Sequence, residues 1–148
     1  MPTNRFTKDR KSLLIVLLLA ITTSGGILLF SMLGKFKEER RNREYEVSLV
    51  KALKNSYEGI EEVKITNPNF TEILESWSCD VDIRFKDGEK IVYGINHRLE
   101  FSENYEGVMK GKINEEINKG WQKLRNKRGV TLSRVKVIYS NGEEEEQY

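Results

Sequence analysis

The sequence predicts an α+β protein: an N-terminal transmembrane helix, then a small domain with a mainly antiparallel four-stranded sheet, in the order α-β-β-β-α-β, with helices packed on one face. Three observations predict it. Residues 12–34, SLLIVLLLAITTSGGILLFSMLG, carry no charge in a chain in which 32% of 148 residues are charged. Trp77, Cys79, Val81, Ile83 and Phe85 alternate strictly with polar residues, and Met109, Ile113, Ile117, Trp121 and Leu124 recur at helical steps. A period of two followed by one of 3.6 places a sheet and a helix on a shared core.

Residues 1–11 form a short basic tail. At about 1.5 Å per residue, a helix over 12–34 would be roughly 34 Å long, enough to cross a hydrocarbon layer of about 30 Å. The apolar pattern resumes at Ile27-Leu28-Leu29-Phe30 and no Ala-x-Ala precedes it, so the pattern predicts a retained anchor rather than a cleaved signal. Ser24, Gly25, Gly26 and Ser31 are small enough for a second helix to approach, which allows self-association through the span. Four Lys or Arg precede it and five follow closely. The near balance leaves the short basic tail to set orientation, with the C-terminal domain outside. Up to Glu44, nine basic residues face four acids, whereas the rest of the chain carries sixteen against nineteen. Lys35, Lys37, Arg40, Arg41 and Arg43 are therefore the predicted contacts with anionic membrane lipid, at about 1 kcal/mol per charge near the surface. In plan and composition the chain resembles small single-pass proteins of Gram-positive bacteria, which implies a cell-envelope setting and no particular site residues.

Residues 35–46 continue as a charged juxtamembrane helix, and the α+β domain follows over 47–140. Val47, Leu49, Val50, Leu53 and Tyr57 recur at steps of three and four, so this helix packs on the domain and ends at Gly59, where a left-handed cap belongs. Val63 and Ile65 mark a first strand, closed by a turn at Asn67-Pro68-Asn69. The row from Trp77 to Phe85 is the second strand. Ile91, Tyr93, Ile95, His97, Leu99 and Phe101 form the third. A two-residue loop, Asp87-Gly88, would turn the two apolar rows to opposite faces. A three-residue loop, Lys86-Asp87-Gly88, with Gly88 left-handed, sets Ile83 against Ile91, Val81 against Tyr93, Cys79 against Ile95 and Trp77 against His97, so both rows meet one core. A second amphipathic helix runs from Met109 to Leu124 and ends in a basic last turn and Gly129. Val135, Val137 and Tyr139 give the fourth strand. Residues 141–148 read as an acidic disordered tail, and no internal repeat is evident.

The charge balance excludes a nucleic-acid partner, because the domain is net negative and lacks a basic stripe interleaved with aromatics. Cys79 is the only cysteine, so there is no internal disulfide; no Cys/His pair stands at zinc-ligand spacing, and no glycine-rich loop cradles a phosphate. No catalytic, cofactor or metal residue is assigned. His97, the only histidine, lies in an apolar row opposite Trp77 and is predicted to be packed; Ser78, the nearest nucleophile, points to the other face. Cys79 shares that row as an inert thiol. Asp80 and Asp82 alternate outward with Arg84 and Lys86, a charge ladder rather than a cation site. Gly94, inside a strand, predicts a bulge or the close approach of another backbone. The reading is a non-enzymatic binding or structural module, anchored at the envelope and presenting its sheet face or an edge strand to a protein or envelope partner. The alternatives are a small inhibitor or immunity-type protein acting in the membrane plane, and a hydrolase using His97 with a distant acid.

Overall fold

The structure, a computed structural model, describes residues 24–148, and the chain divides into two units, Met1–Arg40 and Arg41–Tyr148. The tail over 1–11 and the expected span over 12–34, as far as residue 23, lie outside the described residues. The described part of that span opens α1 (Ser24–Ser56), whose sequence continues with the Lys, Glu and Arg residues of 35–44. Among the described residues no helix is long and apolar enough to cross a membrane. This overturns the expected transmembrane helix and leaves the membrane description built on it without support. Within the first unit, Met32, Leu33 and Phe36 are exposed.

The second unit is built on six strands, not four: β1 (Ile60–Thr71), β2 (Ser76–Phe85), β3 (Lys90–His97), β4 (Val108–Met109), β5 (Val135–Ile138) and β6 (Glu144–Gln147). Between β4 and β5 lies α2 (Asn114–Arg125). The sheet order is β4-β3-β2-β1-β5-β6, and it is mixed because β5 pairs parallel with β1, Val63 opposite Val137. The return from β4 by way of α2 carries the chain across to the far side of β1, where β5 runs parallel to it.

The central hairpin has the predicted register, with Ile83 opposite Ile91, Val81 opposite Tyr93, Cys79 opposite Ile95 and Trp77 opposite His97. One face of the sheet is accordingly apolar. Trp77, Val81, Ile83 and Phe85 on β2, Tyr93 on β3, Val63 on β1, and Val135 and Val137 on β5 are all at most 1% exposed. Onto this face α1 lays Leu49, Val50 and Leu53, followed by Tyr57 just past its end, with Tyr45 stacked on Trp77 at 5.4 Å. Burying a side chain of this size contributes about 1.5–3 kcal/mol. The loops close the C-terminal end of α1. Gly129 and Thr131 N–H donate to Ser56 and Lys54 O at 3.1 and 2.7 Å, and Ser56 Oγ accepts from Asn104 N–H at 2.8 Å. The first two bonds satisfy carbonyls that a helix end otherwise leaves bare.

Four local expectations are corrected. The chain does not turn at Asn67-Pro68-Asn69; β1 passes through a bulge between Thr66 and Asn69 and continues to Thr71. The third strand stops at His97, and Phe101 N–H donates back to Arg98 O at 3.0 Å in a turn. The second helix starts at Asn114 rather than Met109, because Met109 belongs to β4, where it pairs with Tyr93. Met109 still faces the core, and this is why it reads as one stripe with Ile117 and Leu124. The acidic run over 143–146 is ordered: Glu144–Gln147 is the edge strand β6, paired antiparallel with β5.

Candidate functional site

The outward face of the sheet carries the charge ladder, and it spans the strands. Lys90 pairs with Asp82 at 3.1 Å, Arg84 with Glu62 at 3.1 Å, and Lys136 with Glu62 and Glu144 at 3.7 and 3.6 Å. At the end of this face where β2 begins and β3 ends, the ladder gives way to a groove of about 880 Å³. Its floor includes Ser78 and Asp80 on β2 and Gly94 and Asn96 on β3, positions that alternate away from the core. Short side chains there leave the depression. On one side it is bounded by Asn67 in the β1 bulge and on the other by the loop from Glu103 to Val108.

Each boundary has a physical cause. Asn67 sits at φ +52°, a left-handed conformation that asparagine tolerates better than most residues, and its Nδ2 donates to Asp80 Oδ2 at 2.8 Å. That bond, joined by the Lys110 ammonium at 3.1 Å, holds the Asp80 carboxyl below its ordinary pKa, so it stays ionised on the floor of the groove. The opposite wall lies so close to β3 that a Cβ at position 107 would stand 2.4 Å from Gly94 O. The close backbone approach expected at Gly94 therefore depends on Gly107, while Gly94 itself pairs regularly with Asp80 and Val108.

Asn104 pins the wall from behind. Its Nδ2 donates to Asn96 O at 2.8 Å, its Oδ1 accepts from Glu106 N–H at 3.3 Å, and it is 5% exposed. These two bonds fix which end of the amide is which, so the Nδ2 that lies 3.4 Å from His97 Nδ1 is a donor. The tautomer consistent with this contact has Nδ1 accepting and the proton on Nε2, which lies 2.8 Å from Ser48 Oγ. A general base would have to receive the serine proton at that same nitrogen. Burial pushes the His97 pKa down to about 4, and the ring, 1% exposed, stays neutral. Ser48, His97 and Asn104 form a structural chain tying α1 to the back of the groove wall.

The residues singled out in the sequence are thus spread across the fold. His97 is enclosed opposite Trp77, whose Nε1 donates to Asn42 Oδ1 at 3.0 Å. Cys79 is buried, and burial raises its thiol pKa well above the ordinary range. Lys35, Lys37 and Arg40 are exposed in the first unit. Arg41 instead lies over the Phe70 ring at 4.3 Å, and Arg43 lies over Tyr139 at 3.7 Å and pairs with Glu143. Two of the five basic residues are therefore engaged inside the domain. Asn42, Glu46, Ser48 and Asn104 were not singled out. The first two were within reach, because four-residue steps back from Val50 arrive at Glu46 and Asn42 on the stripe that faces the sheet. Glu46 is 2% exposed; burial raises its pKa, and its Oε1 accepts from Ser140 N–H at 3.1 Å. Among the described residues no group of three or more His, Cys, Asp and Glu is placed to hold a metal ion. Comparison with protein-family models, with curated proteins and with solved structures finds no match.

Proposed function

We propose that the domain Arg41–Tyr148 is a binding module, and that the groove on its outward sheet face receives an extended polypeptide segment of a partner protein. The observation that carries this reading is the groove floor itself: Ser78, Asp80, Gly94 and Asn96 present small hydroxyl, carboxylate and amide groups to solvent, beside a wall braced by Asn104. Such groups match the N–H and C=O groups of an extended peptide, and a braced wall lowers the ordering cost of binding. A hydrolase reading is disfavoured by the enclosure of His97, whose ring is 1% exposed and whose pKa burial pushes down to about 4.

The test is a titration of the isotope-labelled chain with a panel of extended peptides of varied charge, read by amide chemical shifts. Saturable shifts at Ser78, Gly94, Asn96 and residues 103–108, abolished by Ser78→Trp at unchanged melting temperature, support the reading. Peptide shifts that map elsewhere, or none with any peptide, sink it. Ester or amide cleavage that disappears in Ser48→Ala would return the protein to the hydrolases.

A further inference from the structure

The hairpin β5–β6 closes through Ser140-Asn141-Gly142, which contains the only Asn-Gly pair in the sequence. Its loop repeats that of the β2–β3 hairpin. Tyr139 N–H donates to Glu143 O and Gly142 N–H to Tyr139 O, both at 2.9 Å; the counterparts are Phe85 N–H to Glu89 O at 2.8 Å and Gly88 N–H to Phe85 O at 2.9 Å. Gly142 and Gly88 stand at φ +89° and +88°. The middle loop residue is Asn141 in one and Asp87 in the other, and each Oδ1 accepts from the N–H two residues on, at 3.0 and 2.9 Å. A cation reaches each loop: Lys127 pairs with Asp87 and, at 3.5 Å, with Glu89, while Arg43 donates to Asn141 Oδ1 at 3.4 Å and pairs with Glu143.

We propose that Asn141 is a site of spontaneous deamidation, with water as co-reactant, and that the fold accommodates its aspartate product as it already accommodates Asp87. The Gly142 backbone nitrogen gives up its proton to solvent and attacks Asn141 Cγ. The new N–Cγ bond forms as the side-chain nitrogen takes a proton from solvent and leaves as ammonia, giving a succinimide ring. Water then adds to one of the two ring carbonyls. Breaking the N–Cγ bond yields aspartate on the normal main chain; breaking the original peptide bond yields isoaspartate, with one more methylene in the main chain. Nothing is oxidised or reduced.

Three features favour the site. Gly142 has no side chain to obstruct the attack. Asn141 Oδ1 accepts from both Glu143 N–H and Arg43, which draws electron density from Cγ. The attacking nitrogen is released only when its bond to Tyr139 O opens, and β6 is an edge strand of four residues with no buried side chain, so its opening costs little. Isoaspartate lengthens the loop and breaks its closing bonds. Aspartate keeps them, and gives Arg43 two carboxylates to hold, the arrangement Lys127 has at the other loop.

The experiment is incubation of the full chain at mildly alkaline pH, with peptide mapping by mass spectrometry and measurement of released ammonia. Faster conversion at Asn141 than at any other asparagine, and its loss in Asn141→Gln, is expected. Conversion no faster there than elsewhere overturns the proposal. The Asn141→Asp chain tests the product separately. A melting temperature equal to the parent's or up to about 4 °C above it fits the accommodated aspartate, and a lower one refutes it.

Discussion

The two hairpins β2–β3 and β5–β6 share a loop and a cation clamp, yet one is the centre of the sheet and the other is its margin. In β2–β3 both strands alternate, and eight residue pairs join them over an apolar floor. In β5–β6 four pairs join a strand with two buried valines to a row of three exposed Glu and a half-buried Gln. Loop geometry therefore sets register in both, whereas burial decides which hairpin holds the molecule together.

The largest effect should come from the apolar floor of the first hairpin. Trp77→Ala is expected to destabilise the domain by about 3–5 kcal/mol in chemical denaturation, since it empties the largest buried site and strips Asn42 of its donor. Glu145→Ala, which removes only the acceptor of Tyr139 O–H, should cost below about 1 kcal/mol. Similar losses from the two substitutions would mean that the hairpins carry the fold equally.

Next come the buried ionisable groups of α1 and β3, which pull stability in opposite directions as pH changes. His97 has a folded pKa of about 4 against an ordinary 6.5, so the unfolded chain takes up the proton first. Stability should be intact above pH 6.5 and fall as pH drops from there toward 4, by about 3 kcal/mol in all, with the slope gone in His97→Gln. Glu46 has a raised folded pKa, so the folded chain keeps its proton longer than the unfolded one. Stability should therefore decline as pH rises from the ordinary 4.5 through that raised value, and Glu46→Gln, which keeps the acceptor for Ser140, should flatten the decline. Denaturation midpoints across pH, parent against each variant, provide the check.

Gly88→Ala and Gly142→Ala sharpen the comparison, because the two glycines have the same left-handed φ. Each should cost about 1–2 kcal/mol locally. The first should lower the global midpoint, while the second should show chiefly as faster hydrogen exchange along β5 and β6. The smallest effects belong to the clamps: Lys127→Ala and Arg43→Ala should each lose less than about 1 kcal/mol, and the loss should shrink in high salt. A loss untouched by salt would assign the clamps to ring stacking alone.

The same contrast explains what the sequence made legible. The register of β2–β3 could be derived because both strands alternate and only one loop length brings both apolar rows to one core. Strand β6 offers no such pattern; Tyr139-Ser140-Asn141-Gly142-Glu143 was its only signal, visible once set beside Phe85-Lys86-Asp87-Gly88-Glu89. The parallel partner of β1 and the bulge at Asn67 depend on tertiary contacts that no local period encodes. The groove was hidden for a related reason. It arises from small residues, Ser78 and Gly94, on two strands and from Gly107 on a distant loop, and nothing in the spacing links them. His97 and Cys79 were legible as packed residues because their place in an apolar row fixed their face.

The margin of the sheet has one more consequence. At one rim stands β4, two residues long; at the other stands β6 with Glu144, Glu145 and Glu146. A stub offers too few free backbone groups to template a neighbour, and a line of like charges repels its own image. Both are poor templates for a second molecule, so even crowded copies of this chain should resist growing into ribbons.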